Sequence, residues 1–169
     1  FSRNSFTLPS NERGHKVKVP GDCKLLSSEG YSFINRDAFT DRENILNKYK
    51  VIITYAMSGG NKPGADGKYQ IISSLESLPP QSVCTETYLV LGAFEKENEA
   101  KNMVAYVKTK FFRFLLLQAL SSIHITKSVF QFVPQQDLNK EWTDELLYKK
   151  YELTSDEISC IESVIRDIE

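Results

Sequence analysis

Histidine and cysteine are scarce. His15, His124, Cys23, Cys84 and Cys160 are scattered through 169 residues. A structural zinc site needs about four clustered ligands, so this set excludes one. Three separated thiols fit a reducing compartment, each as a small buried hydrophobe. No apolar run approaches the ~20 residues of a membrane span. The longest, "FFRFLLLQAL" at 111–120, is interrupted by Arg113 and Gln118. The chain starts at Phe1 with no initiator Met and no basic-then-apolar leader, and the expectation is a fragment of a larger protein.

Complete catalytic sets are also missing. A hydrolase triad needs Ser or Cys with His and a carboxylate, and neither histidine has a nucleophile signature beside it. Asp22-Cys23-Lys24 supplies one element of a nuclease core, without a convincing upstream acid. The expectation is that this chain is not an enzyme.

Acids are absent from Ala100 to Gln136, where five bases stand: Lys101, Lys108, Lys110, Arg113 and Lys127. Residues 1–130 carry 17 Lys+Arg against 12 Asp+Glu, and residues 131–169 carry 4 against 10. A basic centre with an acidic end points to a polyanionic partner for the first part. The alternative is a solvated helix face.

Glycine is concentrated. The stretch "YAMSGGNKPGADGKYQ" at 55–70 holds four of the eight glycines, with Lys62 and Lys68 among them. It is not a phosphate cradle of the Gly-x-x-x-x-Gly-Lys-[Ser/Thr] kind: Tyr69 follows Gly67-Lys68, Lys62 stands five before Gly67, and "YQIISS" looks extended. Dinucleotide spacing fails as well.

The patterning predicts a single α+β domain over 1–169. Residues 1–133 form a mixed β-sheet with one long packed helix, and 134–169 form an acidic helical end. "CKLLSSEGYSFINRDAF" reads as a hairpin, and "KVIITYAM" as a central strand. "YQIIS" is a further strand, "LPPQS" a turn or edge, and "TETYLVLGAF" a strand ended by Gly92. Thr40-Asp41-Arg42-Glu43 and Thr154-Ser155-Asp156-Glu157 are capping boxes, each opening a helix. A short helix starts near Thr143. "EKENEAKNMVAYVKTKFFRFLLLQAL" is the long helix, with Ala100, Met103, Val104, Val107, Phe111, Phe114 and Leu115 on its apolar face. "VFQFV" alternates as a strand.

Two loops are rich in binding groups. The first offers Ser58, Asn61, Lys62 and Lys68. The second, "QALSSIHITKS", offers Gln118, Ser121, Ser122, His124, Thr126 and Lys127. Amides suit adenine edges, Lys and Arg suit guanine edges and phosphates, and hydroxyls suit phosphates. The alternative is a pair of merely solvated loops.

The order of landmarks resembles the C-terminal target-recognition domain of bacterial type II restriction–modification adenine-N6 DNA methyltransferases, often fused to an endonuclease. "FSRNSF", "NKYKVIITYA" with its following glycines, and "TETYLVLGAF" carry the resemblance. So does the run from "VKTKFFRFLLL" through "VFQFVPQQDLNKEWTDELLYKKYELTSDEISCIESVI". It implies double-stranded DNA as partner and a methylase domain in the same polypeptide. S-adenosylmethionine would be bound in that other domain, with no cofactor here and a bacterial cytoplasmic setting. Lys101, Lys108, Lys110, Arg113 and Lys127 would meet phosphates and the two loops would enter grooves. The competing expectation is a scaffold that links methylase and nuclease parts without reading bases.

Overall fold

The computed structural model describes residues 3–56 and 62–168. It is an α+β protein whose chain divides into two compact units, Phe1–Tyr55 with Leu75–Ala100, and Ala56–Ser74 with Lys101–Glu169.

The first unit holds two three-stranded sheets. Strands β1 (Cys23–Ser27) and β2 (Gly30–Ile34) form the expected hairpin. Its turn needs Gly30, which sits at φ +97°, a region that side chains disfavour. On its other side β1 pairs in parallel with β5 (Ser82–Cys84), making a mixed sheet in the order β2-β1-β5.

The second sheet is antiparallel. Its centre is β3 (Tyr49–Thr54), between β4 (Leu75–Leu78) and β6 (Tyr88–Phe94). Val51, Ile52 and Ile53 are buried in succession, as the continuous apolar run predicts for a strand covered on both faces. Gly92 does not end β6. The register steps from Val51↔Gly92 to Ile52↔Val90, so Leu91 is the extra residue of a bulge and the strand runs on.

Lys50 is fully buried in this unit. Its ammonium donates to the carbonyls of Ile45, Leu46, Lys48 and Pro79 at 3.4, 3.1, 2.7 and 3.2 Å. The expected helix after Thr40 does not form. Asn44 lies at φ +53°, and Asp41 accepts from the Ile45 and Leu46 amides at 3.0 and 2.8 Å. Glu43 is drawn to the Ser5 hydroxyl at 2.7 Å instead of capping backwards.

The second unit is helical. The boundary between units falls inside α1 (Glu97–Lys108), which is followed by α2 (Lys110–Ala119), α3 (Asp144–Lys150) and α4 (Ser155–Val164). The single long helix is thus two. Thr109 leaves the helical region at ψ 147° and its hydroxyl caps α2, accepting from the Phe112 amide and donating to the Tyr106 carbonyl. The Asp144 carboxylate accepts from the Lys110 and Phe111 amides at 3.0 and 2.9 Å. Amides that a continuous helix would have used are satisfied from 34 and 33 residues away.

The break shifts the phase of the apolar face. Phe111, Phe112, Arg113 and Leu116 are buried, whereas Phe114 and Leu115 are half-buried. Phe112 meets Tyr106 edge-on, with centroids 5.0 Å apart, and Phe111 stacks on Tyr151 at 5.0 Å.

"VFQFV" is not a strand. It lies largely in a 3-10 helix, Lys127–Phe132, which packs against α2 through buried Val129, with the Phe130 ring 6.3 Å from that of Phe112. "YQIIS" also fails as a strand and makes one bridge, Tyr69↔Ile165. The Thr154 capping box forms in full, with both reciprocal bonds to Glu157. Cys23 and Cys84 are buried as expected, but Cys160 is exposed, and all three are free thiols. Among the described residues no helix is long and apolar enough to cross a membrane.

Candidate nucleic-acid interface

Every described candidate residue belongs to the second unit. Ser58 and Asn61 lie outside the described residues. The two polar loops are joined at one point. Ala56, which enters the glycine loop, pairs antiparallel with His124 in the second loop. Ile125 is buried and pins that loop from within, while its neighbour Ile123 is 44% exposed. Ser121, Ser122, His124, Thr126 and Lys127 are all exposed. The Ser122 hydroxyl accepts from the His124 amide at 3.2 Å, and the Thr126 and Ser128 hydroxyls are 2.8 Å apart. These local bonds shape the loop without burying its polar groups. Gln118 is exposed at the end of α2 and donates to the Phe114 carbonyl at 3.3 Å.

The cations divide into two groups. Lys62, Lys101, Lys108 and Lys127 are exposed. Lys101 and Lys108 are seven residues apart on α1, so they share one face.

Lys68, Lys110 and Arg113 are committed internally. The Lys68 ammonium donates to the Glu162 carbonyl at 2.9 Å. Lys110 bridges the Glu162 and Asp167 carboxylates, the latter at 2.8 Å. Burial works against its charge, but those two carboxylates hold its pKa above the ordinary lysine value. Tyr148 donates to the other oxygen of Glu162 at 2.8 Å, completing a small ionic cluster.

Arg113 is the sharpest departure from expectation. It is 1% exposed, and its guanidinium donates to four carbonyls: Lys108, Thr109, Gln70 and Arg166. Burial lowers its pKa to about 10. A side chain spent in this way holds the interior together and is removed from the phosphate surface. The reason is the break at Thr109, which turns this position inward.

Arg166 and Asp66 were not among the sequence candidates, yet they bind each other through two bonds of 3.0 and 2.7 Å beside the glycine loop. A signal existed: Arg166 is the one base among residues 151–169. The acidic helical end thus packs within its own unit, against this loop and α2.

The unit also has a cleft of about 310 Å³ beside Trp142. Lys108 is the one sequence candidate lining it, together with Thr109, Glu141, Asp144 and Glu145. Among the described residues no group of three or more His, Cys, Asp or Glu side chains is placed to hold a metal. Comparison with protein-family models, with curated proteins and with solved structures finds no match to this chain.

Proposed function

We propose that this chain is the DNA sequence-recognition module of a bacterial restriction–modification adenine-N6 methyltransferase. The observation that carries the reading is the Ala56–His124 bridge, which seats the entry to the glycine loop against the middle of the second polar loop. One loop presents exposed Ser121, Ser122, His124, Thr126 and Lys127, and the other presents Lys62. Hydroxyls and ammonium groups of this kind suit phosphates, and imidazole suits base edges or phosphates. The acid-free span from Ala100 to Gln136 adds the exposed side chains of Lys101 and Lys108.

The module positions double-stranded DNA without methylating it. S-adenosylmethionine and the transfer chemistry belong to a methylase domain of the same polypeptide, in the bacterial cytoplasm. An endonuclease activity, where present, belongs to that larger protein too. The phosphate surface is smaller than the sequence suggests, because Arg113, Lys110 and Lys68 are occupied internally.

Selection of duplexes from a randomised pool by the 169-residue chain tests the reading. One enriched sequence is expected, with a salt slope no steeper than about −4 for four lysine–phosphate contacts. Substituting Ser122 and His124 together should relax that selection. A pool returned without enrichment, and without salt-dependent retention, would refute recognition and favour the scaffold role.

A further inference from the structure

Residues 66–70, which close the glycine loop, are held by the far end of the chain. The Tyr69 amide donates to the Val164 carbonyl at 2.8 Å, and the Arg166 amide donates back to the Tyr69 carbonyl at 2.9 Å. Lys68 reaches the Glu162 carbonyl and Asp66 takes the Arg166 guanidinium. Arg113 closes the arrangement from below, donating at once to the Gln70 carbonyl at 3.3 Å and the Arg166 carbonyl at 2.6 Å.

Two further features belong to the same arrangement. Ile71, next to Gln70, is fully buried at φ +71°. A β-branched residue in the left-handed region is strained and persists only where its surroundings over-determine it. Gly64 has an ordinary φ, unlike Gly67 at +75°, so its backbone does not require glycine. A Cβ at Gly64 would lie 2.1 Å from Arg166 Nη2 and 3.0 Å from the Asp66 carboxylate. The Arg166 guanidinium lies across this glycine, and an alanine would push that flexible group aside.

We propose that Arg166 and Arg113 are positioning residues that fix residues 64–70 of the glycine loop through the C-terminal segment Glu162–Asp167, so that recognition by this segment depends on the Asp66–Arg166 pair. The consequence for recognition rests on the DNA reading above, and the anchoring does not. The bidentate geometry gives the pair direction as well as charge. Gly64 makes a clean probe, since alanine there displaces a flexible guanidinium without deleting a polar group or straining φ.

Hydrogen exchange on the full 169-residue chain tests the anchor. Asp66→Asn, Arg166→Ala and Gly64→Ala should each speed exchange at the Tyr69 and Arg166 amides by about two- to fivefold, the range of an exposed ion pair. The Leu116 amide in α2 should keep its rate. Reversing the pair, Asp66→Arg with Arg166→Asp, should restore protection. Unchanged Tyr69 and Arg166 amides in all three variants would overturn the proposal, and so would a uniform rise across the unit.

Duplex selection then separates the two readings. Where the unaltered chain selects a sequence, Gly64→Ala should weaken that selection, and full retention with an opened loop would overturn the positioning role. Where the unaltered chain selects nothing, the DNA reading fails, and the anchor stands or falls on exchange alone.

Discussion

Replacing Arg113 by Met should destabilise the helical unit by about 4 kcal/mol. The strongest bond lost is the 2.6 Å contact to the Arg166 carbonyl, a charged hydrogen bond of about 2–3 kcal/mol. The contacts to Lys108, Thr109 and Gln70, at 3.2, 3.3 and 3.3 Å, are longer and add about 0.5–1 kcal/mol each. Met keeps most of the apolar stem, so little packing is lost. The cost comes mainly from the Arg166 and Lys108 carbonyls, because those of Thr109 and Gln70 keep the Arg113 and Ile72 amides as donors. Trp142 is the sole tryptophan and lies buried in the same unit, so its fluorescence reports the unfolding of that unit in urea. With a slope of about 2 kcal/mol per molar, the midpoint falls by about 2 M. Arg113→Lys, which keeps the charge but not the planar fork, should fall between the two. A midpoint for Arg113→Met within ~0.5 M of the unaltered chain would refute the argument that this guanidinium holds the unit together.

Burial lowers the Lys50 ammonium to about 8, below the ~10.4 of an unfolded lysine. Between these values the unfolded chain holds this proton more tightly, so Lys50 contributes stability that grows with pH from about 8 upward, by about 3 kcal/mol over the full window, whereas the Cys84 thiol, pushed up by burial, contributes with the opposite sign. Urea titrations at stepped pH should show the Lys50 contribution as the difference in slope between the unaltered chain and Lys50→Met. Asp66 is held down at about 2 by the Arg166 guanidinium and the Lys68 amide. Its carboxyl resonance should therefore titrate near that value, moving back toward about 4 in Arg166→Ala. Since the folded value is the depressed one, the stability it contributes is present above about 4 and disappears as pH falls through about 2. Thr154→Ala removes the hydroxyl that caps α4 and should cost about 1 kcal/mol, measured by thermal or urea unfolding, with Thr154→Ser close to neutral.

The hairpin at 23–34, the central strand at 49–54 and the Thr154 cap were all legible in the sequence. Each rests on local signals: a glycine turn, a β-branched apolar run, and a hydroxyl three residues before a glutamate. What failed depended on distant partners. Thr40-Asp41-Arg42-Glu43 has the letters of a capping box, but Ser5 takes Glu43 and a left-handed Asn44 stops the helix. "VFQFV" alternates like a strand but has no strand beside it, and it coils into a 3-10 helix against α2.

The candidate site divides in the same way. Sequence by itself established an α+β chain with a glycine-rich loop, an acid-free basic centre and an acidic end, because composition and short-range periodicity are local properties. Tertiary structure alone decided which cations remain at the surface. Asp144 captures two amides at the start of α2, the helix breaks at Thr109, and Arg113 turns inward to four carbonyls. It also decided what a side chain at Gly64 would meet. The backbone does not need a glycine there, but the guanidinium of Arg166, 102 residues later, occupies the space a side chain would fill.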